Sequence, residues 1–302
     1  MIYWLDYRTK DGAEGSLQSC VSFVYEKEAY TPYTSLKAVV YGDDLPDDIT
    51  EVKMNVDGYH IHHGFVDSYR VTRQNGINQG ILASRGFTAL LTENQLPPGM
   101  YTDMTLDRLF SDYIAFPYVE HESNTQSSYI YVNKGASIWE SIANLSYKIA
   151  GVYPYVADSN TVMISMPDKP RKIICDREIM YSCGTEIMTR RMVSSYNMAD
   201  ISGEYGAFSA VSEEAAARNI IRHRHFELDM RFLNNPDMAC QYRIMMSERG
   251  YKRQFYTFVG FQGQDLNDIA VIDEQDERRI NSVKVKGGRN GVFTEISVYD
   301  TT

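Results

Sequence analysis

No run of eighteen apolar residues occurs in the chain, which excludes a membrane-spanning helix, and the opening MIYWLDYRTKDG has neither the basic nor the apolar stretch of a signal peptide. The expectation is a protein made, and at first kept, in the cytosol. Cysteine is scarce: Cys20, Cys175, Cys183 and Cys240 show no CxxC spacing and stand among apolar or strand-like neighbours. That pattern fits buried free thiols rather than disulfides or zinc ligands. Also missing are a Gly-x-Ser-x-Gly elbow, a His-Glu-x-x-His pair and a Walker lysine. No nucleophile, metal or phosphate motif remains, so the expectation is a protein that is not an enzyme, with no catalytic residues, no cofactor and no metal site. Clustered basic residues are lacking too. With 40 acidic against 30 basic residues the net charge is −10, which argues against wrapping nucleic acid, since phosphate neutralisation needs clustered Lys and Arg. The same sign suits a channel through which DNA slides.

What is present favours strands. Tyrosine is abundant at 23 of 302 residues, alongside many Val, Ile and Thr, and the length allows two or three domains with a real core. Residues 2–8, 19–25, 36–41, 51–56, 59–63, 65–73 and 79–84 read as short strands separated by turn chemistry, the spacing of a sandwich or barrel. Asp57-Gly58 predicts a type I′ hairpin, because both central positions of that turn need positive φ. On the following strand the two-residue period puts His60 and His62 on one face, and Ile61 and His63 on the other. Two histidines at i and i+2 fit a metal in principle, but no Asp, Glu or Cys completes a ligand set nearby. They are read as surface strand histidines beside a turn. Pro97-Pro98-Gly99 then breaks strand pairing and closes the first unit.

The best helix lies in the middle of the chain. Ser137 and Glu140 have capping-box spacing, and Ile138, Ile142, Leu145 and Ile149, widened by Trp139, Ala143 and Ala150, define a buried stripe that Gly151 ends. Trp139 is expected to be a core anchor. A second helix is read over residues 103–114, and short strands over 129–132, 153–156 and 161–166, with Pro167 and Pro170 marking the exit. Beyond it, strands are read at 173–179, 190–196, 255–261, 269–272, 279–286 and 292–299, a short helix at 212–218, and a helix after Asn235-Pro236 whose Met238, Tyr242, Met245 and Met246 make a soft buried face. The basic run Arg222-His223-Arg224-His225 reads as a solvated or interface strand, and the acidic clusters Asp43-Asp44, Asp47-Asp48 and 273–277 as solvated or channel-facing loops.

Gly135-x-Ser137-x-Trp139-x-x-Ile142-x-x-Leu145, followed by Gly151 and two strands, resembles the central domain of baseplate hub proteins from contractile phage tails, the late control D type. The step His63-Gly64-Phe65-Val66-Asp67 with the strand at 81–86 is similar to the first barrel of that family, and the hairpin around 287–291 ending in Phe293-Thr294-Glu295-Ile296 to its last. The resemblance implies a mainly β chain with an α+β middle: two tube-like β-barrel domains, residues 1–100 and 169–302, flanking a small α/β domain, residues 101–168. It implies a structural hub joining a sixfold tail tube to a threefold spike. The hub would be a homotrimer in a virion or phage-tail-like particle assembled in the bacterial cytoplasm, whose partners are the tube protein or its initiator, the spike and other baseplate components, with DNA only as passing cargo. LysM glycan-binding modules share the opening of the helical motif, so a cell-wall glycan-binding or hydrolytic tail protein is the alternative. In a LysM, however, a second helix follows where Gly151 here leads into strands.

Overall fold

The computed structural model describes residues 2–17, 19–175, 180–272 and 276–299, excluding the side chains of residues 74 and 276. Eleven strands form one antiparallel sheet. They are β1 (Tyr3–Arg8), β2 (Glu14–Leu17), β3 (Cys20–Glu28), β4 (Ser35–Gly42), β5 (Glu51–Val56), β6 (Tyr59–Gln74), β7 (Ile77–Gly86), β8 (Met180–Ile187), β9 (Lys252–Val259), β10 (Ser282–Gly288) and β11 (Gly291–Tyr299). Their spatial order is β8-β9-β11-β10-β3-β4-β7-β6-β5-β1-β2. The protein is thus mainly β, as its composition predicts. The two sequence arms meet where β10 pairs with β3, Ser282 opposite Glu28 through Gly287 opposite Phe23.

Strict alternation makes this sheet two-faced. One rung, Phe258, Thr294, Val285, Tyr25, Leu36 and Ser84, is buried, and its members lie opposite one another across five strand pairings. Phe258, Val285, Tyr25 and Leu36 belong to a core that also takes in Leu5, Met54, Ile280 and Val298, so both arms contribute to one apolar interior. Gly287 is required at the seam, because a Cβ there would stand 2.0 Å from the ring of Phe23, itself 2% exposed. Gly287→Val should therefore cost about 2 kcal/mol by overpacking. Urea unfolding measures it, and an unchanged midpoint would argue against the seam.

The middle of the chain has its own core of Leu106, Leu109, Ile130, Ile138, Trp139, Ile142, Leu145, Val156 and Val162. The Ile138–Ala150 helix begins with the predicted capping box: the Ser137 hydroxyl accepts from the Glu140 N–H, and the Glu140 carboxylate accepts from the Ser137 N–H at 2.7 Å. Gly151 ends it at φ +70°. The second helix is shorter than its apolar stripe predicts, Leu106–Tyr113, because Thr105 caps it and Gly99–Met104 is drawn into a strand against Ser128–Val132.

In the C-terminal arm the strand Ser195–Ala199 lies between Tyr205–Val211 and His223–Phe226, and the Pro236–Glu248 helix packs on this small sheet. The buried face of that helix is Ala239, Cys240 and Ser247 rather than the predicted methionines. Small side chains let it approach the sheet, and Met238 and Tyr242 are only partly covered. The strand read at 173–179 is seen as Lys172–Cys175, with residues 176–179 outside the described set.

Candidate assembly surface and interdomain site

Across the big sheet, the rung next to the buried one is partly open to solvent: Thr257, Glu295, Lys284, Glu26, Ser35 and Arg85. Several of the charges on this face are paired. Lys284 bridges to Glu26, Arg253 to Glu186, and Arg85 to Asp67 and Glu93 at 2.7 and 2.6 Å. Arg85 also lies 5.4 and 5.3 Å from the rings of Tyr33 and Phe65. Pairing opposite charges within one face lowers the field it projects, so the surface is polar without being strongly attractive to a polyanion. A groove of about 540 Å³ runs along it. The acidic pairs Asp43-Asp44 and Asp47-Asp48 are exposed in the loop between β4 and β5, off this face. The cluster at 273–277 falls partly outside the described residues.

Two strand edges flank the open face. At one end β8 has β9 on a single side and no other strand beside it among the described residues. At the other, β5 covers β6 only as far as Phe65, so residues 67–74 pair with β7 alone. Most of β8 is exposed, including Tyr181 at 71% and Ile187 at 51%. Long open edges of this kind recruit another chain unless something caps them. The eight strands from β8 to β6 alternate in direction throughout. An even number means that the two outer strands of this set, β8 and β6, run in opposite directions.

Behind the open face the three parts of the chain are tied at Lys27. This lysine, 2% exposed, donates from β3 to the Asp158 carbonyl at 2.6 Å and to the Asp265 carboxylate. Asp265 in turn accepts from the Asp158 N–H at 2.8 Å, and its own N–H donates to Asp268, which Arg171 holds at 2.7 Å. One carboxylate thereby links the first arm, the middle hairpin and the C-terminal arm. Sequence reasoning missed Lys27 because its position in the strand alternation gives no sign of a distant partner. Lys27→Met should lower stability by about 2 kcal/mol, below the 3–5 of a fully buried pair because Asp265 is 22% exposed. Chemical denaturation against the parent tests this, and an equal or higher midpoint would contradict it.

His60 is exposed, as the surface reading has it, but His62 departs from that reading. Register jumps from Met54 opposite His62 to Asn55 opposite His60, leaving Ile61 as a bulge. The two-residue period fails there: Ile61, His62 and His63 are all buried, at 5%, 0% and 9%. The middle hairpin caps them, Asn160 donating to the His63 carbonyl at 3.0 Å. Ser84 spends its proton on the Phe65 carbonyl, so it accepts from His62 Nε2–H at 2.9 Å, and Nδ1 accepts from Thr34 at 2.8 Å. His62 is thus a neutral imidazole satisfied at both nitrogens, and burial pushes its pKa down to about 3. His63 meets Glu51 at 2.6 Å. No group of three metal-ligating side chains occurs among the described residues.

The other singled-out residues are also located. Trp139 is 3% exposed and its indole donates to the Tyr153 hydroxyl at 3.1 Å, so it is a core anchor. Cys20, Cys175 and Cys240 are buried free thiols, whereas Cys183, on the open β8 strand, is exposed. In the basic run, Arg222 is consumed by the carbonyls of Thr189, Arg190 and Met192, and His223 by Ser195. Nearby, Lys148 donates to the Tyr129 carbonyl at 2.8 Å, and burial lowers its pKa to about 7. No described helix is long and apolar enough to cross a membrane.

Neither protein-family models nor curated proteins give a match to this sequence. Solved structures do. The 43 kDa tail protein of prophage MuSo2 from Shewanella oneidensis superposes with a TM-score of 0.74 at 15% identity, over 98% of each chain. A tail protein from Neisseria meningitidis MC58 gives 0.72 at 14% identity, over 99% of this chain and 97% of the other. An Escherichia coli component of the type VI secretion system, described as structurally similar to the bacteriophage T4 tail proteins gp27 and gp5, gives 0.57 at 8% identity, over 94% of this chain and 74% of that one. The chain has the fold of these tail proteins along nearly its whole length.

Proposed function

We propose that the chain is the structural baseplate hub of a contractile tail or phage-tail-like particle, joining a sixfold tube to a threefold spike. The observation that carries this reading is the end-to-end sharing of a tail-protein fold, 98% of both chains in one case. On this reading residues 1–100 and 169–302 act as the two tube-like units, joined through one continuous sheet, and residues 101–168 as the small α/β unit. The working form is a homotrimer. Two β arms per chain let a threefold ring offer six similar modules, and the matched free edges of β8 and β6 supply a closed, edge-free contact between copies. The charge-paired open face suits a lumen past which DNA slides as cargo. Partners are the tube protein or its initiator, the spike and other baseplate components, and the work is structural rather than enzymatic.

The glycan-binding alternative needs an available aromatic platform, and Trp139, which carries the LysM-like spacing, is buried. Pull-down on peptidoglycan with a turbidity assay on cell walls separates the two. No binding and no lysis are expected. Clear binding or lysis by the purified chain would favour the alternative.

A further inference from the structure

Away from the sheet edges, a cleft of about 630 Å³ opens where the three parts of the chain converge. Tyr30 of the first arm, Tyr147 and Tyr153 of the middle, and Met245, Arg249 and Tyr251 of the C-terminal arm line it. Three features point to a ligand. The first is a strand end: Tyr205–Val211 has a neighbour on one side only, and its last residues Ala210 and Val211 border the cleft, Val211 being 66% exposed. The second is the wall of tyrosines, which offers flat apolar area with polar tips. The third is Arg249. Its Nε is buried without a hydrogen-bond partner, and its guanidinium lies 5.5 Å from the Tyr30 ring centroid, with no carboxylate paired to it among the described residues. Buried donors are normally satisfied, so an orphaned guanidinium N–H in a cleft wall marks a missing acceptor. Glu248, in the same wall, is not paired with it: its carboxylate accepts from the Ser212 hydroxyl, and Arg249 Nε has no partner.

We propose that this cleft receives an extended segment of a neighbouring protein subunit, which adds as a strand beside Tyr205–Val211, sets an apolar side chain among the tyrosines and gives a side-chain carboxylate to Arg249. Strand addition supplies main-chain hydrogen bonds, and the pocket beside the edge selects side chains. The carboxylate is argued from charge complementarity, since the cleft's free donor is cationic. The inference rests on the reading of the chain as a subunit of a multiprotein particle, where tethering gives such a segment a high local concentration and a weak contact suffices. Because the cleft touches all three parts of the chain, occupation would also fix their mutual arrangement.

The test uses the full chain and a blocked hexapeptide, acetyl-Thr-Val-Thr-Val-Asp-Thr-amide, beside its Asn twin and a version N-methylated at alternate amides. Trp139, hydrogen-bonded to the cleft residue Tyr153, reports binding by fluorescence. The Asp peptide should bind saturably and on the order of tenfold more tightly than the Asn twin, the worth of one charge-assisted hydrogen bond. Arg249→Gln should erase that difference without lowering the unfolding temperature, and N-methylation should abolish binding. Equal binding of the Asp and Asn peptides by the parent protein, retained binding of the N-methylated one, or no binding at all would overturn the proposal. A failed titration leaves the particle's symmetry untouched, and a chain found outside any tail leaves the titration readable, so the two readings fail separately.

Discussion

Between pH 6.5 and pH 5 the chain should lose about 2 kcal/mol of unfolding free energy through His62 alone. The folded imidazole has a pKa of about 3 against an ordinary 6.5, because it is fully buried. Well above pH 6.5, from about pH 7.5, it is neutral in both states and adds almost nothing to the slope. As pH falls below 6.5 the unfolded chain takes up a proton that the folded chain refuses, so stability drops by roughly 1.4 kcal/mol per pH unit until the folded group titrates as well. The groups facing it are the Thr34 and Ser84 hydroxyls, the Tyr25 ring at 6.3 Å, and His60 and His63. No carboxylate among these offsets the cost. His60 and His63 are also lowered, chiefly by burial, so they act in the same direction. Urea unfolding from pH 7.5 to 5, comparing the parent with His62→Gln, isolates the effect. The variant should show the shallower dependence, and parallel curves would contradict the neutral, buried assignment.

Replacing Trp139 by Ala should cost about 3–5 kcal/mol, through lost apolar contact in the core it shares with Ile138, Ile142 and Leu145 and through the orphaned Tyr153 hydroxyl. Thermal and urea melts measure it. A variant that melts like the parent but loses a glycan ligand would make Trp139 a sugar platform instead.

Local chemistry was legible in the sequence where it acts over a few residues. The capping box at Ser137 and Glu140, the stop at Gly151, and positive φ at Asp57 and Gly58 all appear where spacing places them. What depends on contacts between distant residues was not. A single inserted residue at Ile61 turned the expected surface residue His62 inward while His60 stayed exposed, because period-2 reasoning has no means of sensing a bulge. The β3 to β10 seam joins segments more than two hundred residues apart and is written locally only as the small side chain of Gly287. Lys27 reads as an ordinary polar strand position until Asp158 and Asp265 are brought to it. The basic run is the solvated strand its alternation predicts over His223–Phe226, but the carbonyls that hold Arg222 come from residues 189–192 and were not legible in it.

The most direct test of the account is the rotational symmetry of this chain inside an intact particle, by cryo-electron microscopy of the tail tip. Three copies around one axis are expected, each contributing both of its β arms to a sixfold-like ring, with the β8 edge of one copy against residues 67–74 of β6 in the next. Six identical copies per ring, or a single asymmetric copy, would contradict the account.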